Sequence, residues 1–400
     1  MTVAAIVCTY NRANLLPGCL DSLLNQTRSL DEIIVVNDGS TDDTAEAVAP
    51  YLDRITYLEK ENGGKAQSLN HALKVCRSDY VLIIDDDDLA LENSVELHLD
   101  AIEADGDCAI TYSGAHFADD DGSGGLTVES RWHMLDTSGG EFFSRLLESC
   151  TANTGAMLIK RACFDAVGPF REDMLRCQDY DMLLRLTRRF RTAIVRQPTL
   201  VLRRHAGARG TASFRFSEDE RSRVSLSFDK KILRPLYDQL ALSEYLPDGV
   251  PHEPEGVFKR RALLQRACVM ARHGLWDQFL ADVRSLKDAL GAEQELSEAE
   301  RQICQRTFST SGHDFVIDEM LDRRGLAAEV ARNLAGGTGR AVRIEYAKSL
   351  YYLLRDRFSD WPKRKSFGAL AVAVRMLGVD GLWHSALHKL GVRNDSEGRG

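Results

Sequence analysis

Tyr80-Val81-Leu82-Ile83-Ile84-Asp85-Asp86-Asp87-Asp88 is the stretch whose reading decides the fold. Its first five residues are apolar β-formers bounded by polar residues, which predicts a fully buried strand. Four carboxylates cannot follow that strand into a core unpaired, so they belong at its exposed C-terminal end. In open α/β sheets the ligand crevice lies outside those ends. Carboxylates crowded there repel one another unless a cation neutralises them, and hard oxygen ligands suit Mg²⁺ or Mn²⁺ carrying a substrate phosphate. A second acidic run, Asp119-Asp120-Asp121, leads into Gly122-Ser123-Gly124-Gly125 with no buried strand feeding it, and reads as a loop.

Working outward, Val3–Cys8 is a first buried strand ending in Thr9-Tyr10-Asn11-Arg12, and 14–24 has helical apolar spacing. The strand Glu32–Val36 ends in Asn37-Asp38-Gly39-Ser40-Thr41-Asp42, and Ser40 and Thr41 can cap the helix that follows. A short strand at 55–58 and the turn Asn62-Gly63-Gly64-Lys65 lead into a helix over 66–75. Strands alternating with helices predict βαβ units and a mainly parallel central sheet. Three strand ends therefore carry polar residues to one crevice, as a phosphate-bearing nucleotide would need. There is no GxGxxG after the first strand and no GxxxxGK[ST], so side chains and a metal must hold that nucleotide.

At 400 residues the chain should form two or three domains. A net charge of −9 argues against a nucleic-acid binder. Nine cysteines, odd in number and without a CxxC pair, suit a reducing cytoplasm better than a disulfide framework. The run Val3–Cys8 has no basic region before it and reads as no secretory signal. No stretch approaches the roughly 18–20 apolar residues of a transmembrane helix.

Four pieces in order resemble the family 2 glycosyltransferases: Thr9–Arg12, Val36–Asp42, Asn62–Lys65 with Asn70, and Asp85–Asp88. The resemblance covers roughly residues 1–210. It implies a GT-A-like nucleotide-sugar-binding domain over 1–215 and transfer of a sugar to a hydroxyl acceptor, with inversion. Thr9, Tyr10, Asn11, Arg12, Asp38, Lys65, Asp85 and Asp86 would then bind the donor. Thr9 and Asp38 would meet base and ribose, Asp85 the ribose, and Lys65 the diphosphate. Asp87 would hold Mn²⁺ or Mg²⁺. The frame Asp86-x-Asp88 leaves the liganding carboxylate open by one position, with Asp88 and His205 as further ligands. The family's commonest donor is a UDP-sugar. Its acceptors are glycans, glycolipids and other hydroxyl compounds, and bacterial surface polysaccharide or glycoconjugate synthesis is the implied setting.

Gln178-Asp179-Tyr180-Asp181 opens an amphipathic helix, where an isolated carboxylate reads as a cap or dipole partner. The family usually has Glu-Asp here with the Asp as catalytic base, so the resemblance makes Asp179 the general base, and Asp181 should face elsewhere. Residues 117–140 read as a long acceptor-side loop. Arg203, Arg204 and Arg209 would add positive charge for the departing diphosphate. Beyond 216 the pattern is all-helical, a C-terminal domain (216–400) for acceptor, oligomer or membrane contacts. Lys363-Arg364-Lys365 and the apolar segments up to 390 have two readings, a peripheral contact with an anionic membrane or a packed helical hairpin. Two other functions fit less of the sequence. A polyprenyl-phosphate sugar synthase usually has Asp-Leu-Gln after the acidic motif, where this chain has Asp88-Leu89-Ala90. A catalytically silent binding module would need no base at Asp179.

Overall fold

The structure is a computed structural model and describes residues 1–121, 125–134, 141–150, 152–205, 210–211, 214–215, 218–247, 254–290, 295–309 and 315–377. The chain divides into two compact units, 1–146 with 150–228, and 147–149 with 229–400. The expected boundary at 215/216 lies just before the helix Glu218–Gln239, within which this division falls.

The first unit opens with β1 (Val3–Thr9), α1 (Leu16–Leu24), β2 (Glu32–Asn37), α2 (Thr44–Val48), β3 (Thr56–Glu59), α3 (Lys65–Val75) and β4 (Tyr80–Asp85). Then come β5 (Leu89–Ala90), α4 (Ser94–Asp105), β6 (Ile110–Asp120), β7 (Leu126–His133), α5 (Phe142–Glu148), β8 (Met157–Lys160), α6 (Arg161–Val167), α7 (Gln178–Arg189) and β9 (Thr192–Arg204). The sheet order is β3-β2-β1-β4-β8-β6-β9-β5, with β7 paired to β6. β3, β2, β1 and β4 are all parallel, as βαβ units require. Val3 to Val7 and Val81 to Ile84 are essentially without exposure. Strands covered on both faces must be apolar at every position, which explains their continuous apolar runs.

Past β4 the sheet is mixed. β8 runs antiparallel to both β4 and β6, while β9 returns parallel to β6 and antiparallel to β5. Two local expectations are corrected here. Residues 117–140 are not one long loop: β6 continues to Asp120, and β7 pairs back on it from Asp120↔Leu126 to Ala115↔His133. Asp119 and Asp120 are therefore fed by a strand. Arg204 pairs with Asp119 at 2.7 Å and Arg203 with Asp120 at 3.4 Å, so polarity that read as a loop is cross-strand pairing. Residues 122–124 and 135–140 lie outside the described residues.

The second unit is helical: the second half of α8 (Glu218–Gln239), then α9 (Glu255–Arg272), α10 (Trp276–Ala289), α11 (Glu298–Arg306), α12 (Phe315–Asp322), α13 (Leu326–Asn333), α14 (Gly337–Arg357) and α15 (Lys363–Leu377). α9 and α10 pair across Gly274, whose φ of +64° suits the tight link. Trp276, Phe279, Phe308 and Tyr346 form a buried aromatic cluster with ring centroids 5.6 to 6.4 Å apart. Within the basic stretch, Lys365 pairs with Asp318 at 2.9 Å and lies over Trp361. The segment 378–390 lies outside the described residues. Among those described, no helix is long and apolar enough to cross a membrane.

Candidate active site

The register aligns three strand ends. Thr9 pairs with Asn37 and Cys8 with Asp85, so the residues after β1, β2 and β4 emerge at one edge of the sheet.

The β1 and β2 ends are tied together first. Asn11 takes a left-handed conformation (φ 52°), which asparagine tolerates. Its backbone N–H donates to Ser40 Oγ at 2.9 Å, and its Oδ1 accepts from the Thr41 N–H at 2.7 Å. Asp38 is buried, and its backbone N–H donates to Thr9 at 2.9 Å. Its carboxylate accepts from the N–H groups of Gly63 and Gly64 at 2.9 and 2.8 Å, from the Asn62 amide at 3.2 Å, and from Lys60. Asp38 thus holds the turn that starts α3 and presents Lys65. Lys60 was missed in the sequence because a lysine in a polar turn carries no signal of its partner.

The acidic run divides. The Asp88 N–H donates to the Asp85 carbonyl at 3.1 Å and closes a turn between β4 and β5. One carboxylate oxygen from each of Asp85, Asp87 and Asp88 lies within 4.8 Å of the others. Asp86 is the odd member. It is buried, and burial pushes its carboxyl up to about 7, with the charge of Asp87 adding to the shift. Asp88 is raised well above the usual range by burial and then by Asp87 and Asp85. Three carboxylate oxygens gathered this closely suit a divalent cation.

Of the three residues expected to bind metal, Asp87 and Asp88 fall in this group, and Asp85 joins them. His205, just past β9, accompanies Asp87: its Nε2 lies 2.9 Å from Asp87 Oδ2 and 2.9 Å from Arg12 Nη1. Arg12 Nη1 is also 3.8 Å from Asp87 Oδ2. Arg203 and Arg204 do not face this group as free cations, since they pair with Asp120 and with Asp119 and Glu129; Arg209 lies outside the described residues. Among the described residues, Arg12 and Lys65 bring positive charge to the acidic turn.

Lys65 pairs with Asp85. Burial would lower its pKa, but the negative charges of Asp85 and Asp179 outweigh that and raise it. Asp179 is therefore within electrostatic reach of the same ammonium group. It lies in the first turn of α7, half-buried, with Oδ1 accepting from the Tyr180 N–H at 2.9 Å. Asp181 points elsewhere, as expected. It is buried and paired with Arg185 at 2.9 Å and Arg171 at 3.4 Å.

Residues 4–165 match the family model described as glycosyl transferase family 2. An uncharacterized glycosyltransferase of Rickettsia typhi is 33% identical over 191 residues, 46% of this chain and 58% of that protein. The chondroitin synthase of Pasteurella multocida is 31% identical over 188 residues, 46% of this chain and 19% of that enzyme. The alignments thus span little more than half the length of the first relative, and less of the second. Among solved structures, TarS residues 1–349 of S. aureus in complex with UDP-GlcNAc has a TM-score of 0.50 at 16% identity, covering 83% of this chain and 89% of that one. The TarS likeness is one of fold.

Proposed function

Residues 4–165 belong to glycosyl transferase family 2, and from that premise we propose that this chain moves a sugar from a nucleotide diphosphate sugar to a hydroxyl acceptor, with inversion. The observation that carries the reading is the meeting of Asp85, Asp87 and Asp88 beside Lys65, an ammonium that also senses Asp179. Asp85, Asp87 and Asp88 would hold Mn²⁺ or Mg²⁺, because carboxylate oxygens are the donors such ions prefer. The ion supplies charge stabilisation for the leaving diphosphate.

The chain's own residues do the rest. Asp179 accepts the acceptor's hydroxyl proton on its carboxylate as the acceptor oxygen bonds to the anomeric carbon. The bond from that carbon to the diphosphate breaks, and its electron pair leaves with the nucleotide. One displacement inverts the centre. Lys65, paired with Asp85, would place positive charge where negative charge accumulates. Arg12 can do the same from the Asp87 side. A UDP-sugar is the first donor to test, since TarS was solved with UDP-GlcNAc.

The test is donor hydrolysis with Mn²⁺ and with a chelator. Hydrolysis of at least one nucleotide sugar should require the ion, and Asp87→Ala should abolish that dependence. Equal hydrolysis in chelator would refute the metal assignment, and no turnover of any nucleotide sugar would refute the transferase.

A further inference from the structure

We infer that Asp120, a residue of the other acidic run, is a positioning residue for the metal-holding carboxylates and acts on them through Arg203. The inference rests on the proposed metal site.

The end of β9 reaches the acidic turn at two alternate residues. The Arg203 backbone N–H donates to Asp88 Oδ1 at 3.0 Å, and His205 Nε2 meets Asp87 Oδ2 at 2.9 Å. β5 pairs with β9 only as far as Leu89↔Val201, so this side-chain bond carries the ladder one step beyond the last strand pair. With one oxygen of Asp88 occupied by that N–H, the carboxylate has a fixed orientation towards Asp85 and Asp87.

What fixes β9 is its other neighbour. β6 pairs with β9 through Ala118↔Arg203 and Asp119↔Arg204. Past that register the Arg203 guanidinium turns to Asp120, Nη1 to Oδ2 at 3.4 Å, and each side chain is only 9% exposed. The guanidinium also packs on α1, where a Cβ on Gly18 would meet Nη2 at 3.2 Å. Its Nε has no hydrogen-bond partner among the described residues. A buried guanidinium with few partners depends strongly on its carboxylate, and without Asp120 it must move towards water and take its own N–H with it. Arg204 differs. It and its partner Asp119 are largely exposed, so that pair contributes little.

The probe is Mn²⁺ alone, titrated calorimetrically into the full chain well below its melting temperature. Asp120→Asn keeps size and one acceptor but loses the charge, and Mn²⁺ affinity should fall about 10–100-fold, the usual effect of losing a partner behind a ligand. Asp120→Glu should recover most of the loss, and Asp119→Asn should bind like the parent. The donor KM should rise with the Mn²⁺ Kd while kcat at saturating Mn²⁺ and donor changes little. A generally loosened fold would not give that split. Should Asp120→Asn prove insoluble, the double variant Asp120→Asn/Arg203→Gln removes both buried charges and should show the same loss. Parental Mn²⁺ affinity in folded Asp120→Asn, or an equal loss in Asp119→Asn, overturns the inference alone. A parent protein that binds no Mn²⁺ overturns the metal site itself.

Discussion

Asp179 and Asp181 stand two residues apart on α7, and the structure predicts opposite consequences for their replacement by asparagine. Asp181 is 7% exposed and pairs with Arg185 and Arg171, which are 28% and 38% exposed. Breaking a fully buried pair costs about 3–5 kcal/mol. These arginines can rehydrate, so about 1–3 kcal/mol is the better figure here. Arg185 would also keep its bonds to the carbonyls of Val167, Gly168 and Pro169, at 2.9 to 3.1 Å. In a unit of this size that is a melting temperature lower by roughly 2–4 °C per kcal/mol. Among the described residues the Asp179 side chain has one hydrogen bond, from the Tyr180 N–H to Oδ1, which an asparagine oxygen can accept equally well. Its replacement should leave the melting temperature almost unchanged. What the amide cannot do is take a proton, so transfer should fall about 10²–10⁴-fold. That range corresponds to about 2.7–5.4 kcal/mol in the barrier. The assay is sugar transfer per folded molecule, with donor affinity and thermal melting measured on the same samples. Near-normal transfer by folded Asp179→Asn would refute the assignment of the base.

Acid should destabilise the first unit through His98. Burial lowers its pKa from 6.5 to about 3, and its ring nitrogens meet Thr111 Oγ1 at 2.9 Å and Thr199 Oγ1 at 3.1 Å. The unfolded chain takes up a proton below pH 6.5 that the folded one refuses, so stability is lost as pH falls, at about 1.4 kcal/mol per unit. Between pH 6.5 and 5, the unfolding free energy from urea titrations should fall by about 2 kcal/mol more for the parent than for His98→Gln; equal acid dependence would remove the argument. Gly39→Ala should weaken the donor site without touching a carboxylate. Its φ is +75°, and a Cβ there would lie 2.8 Å from the Asn62 nitrogen, displacing the turn that presents Lys65. A parental donor KM in that variant would show the turn to be dispensable.

The parallel half of the sheet was legible in the sequence because burial on both faces leaves continuous apolar runs in β1, β2 and β4. Polar residues after those runs had to lie at one edge, so the meeting of the three strand ends was legible too. The β6–β7 hairpin was not. Asp119 to Asp121 followed by glycines has the composition of a loop, and the arginine partners of Asp119 and Asp120 lie far along the chain on β9. A one-dimensional pattern shows local periodicity but not which distant charge will neutralise a carboxylate. The same limit hid Lys60 behind Asp38 and left the frame of the acidic run open. In the turn, Asp85, Asp87 and Asp88 gather and Asp86 stands outside the group. Asp181 was easier, because residues two apart on a helix do not share a face, so it had to turn away from Asp179.

The base helix and the lysine helix are joined by one amide. Asn70 lies on α3, the helix that Lys65 begins. Its Oδ1 accepts from the Phe170 N–H at 2.8 Å, and its Nδ2 donates to the Phe170 carbonyl at 2.9 Å and to Glu172 at 3.1 Å. Both backbone groups of Phe170 are thereby satisfied by a single buried side chain, as a strand partner would satisfy them. Arg185 reaches back from α7 to the carbonyls just before Phe170, and Asp181 holds Arg185. The segment 167–170 is therefore gripped from α3 on one side and from α7 on the other. Relative motion of the two helices would have to break one of those grips. Asn70, Arg185 and Asp181 thus keep Asp179 within reach of Lys65, although none of the three need touch donor or acceptor.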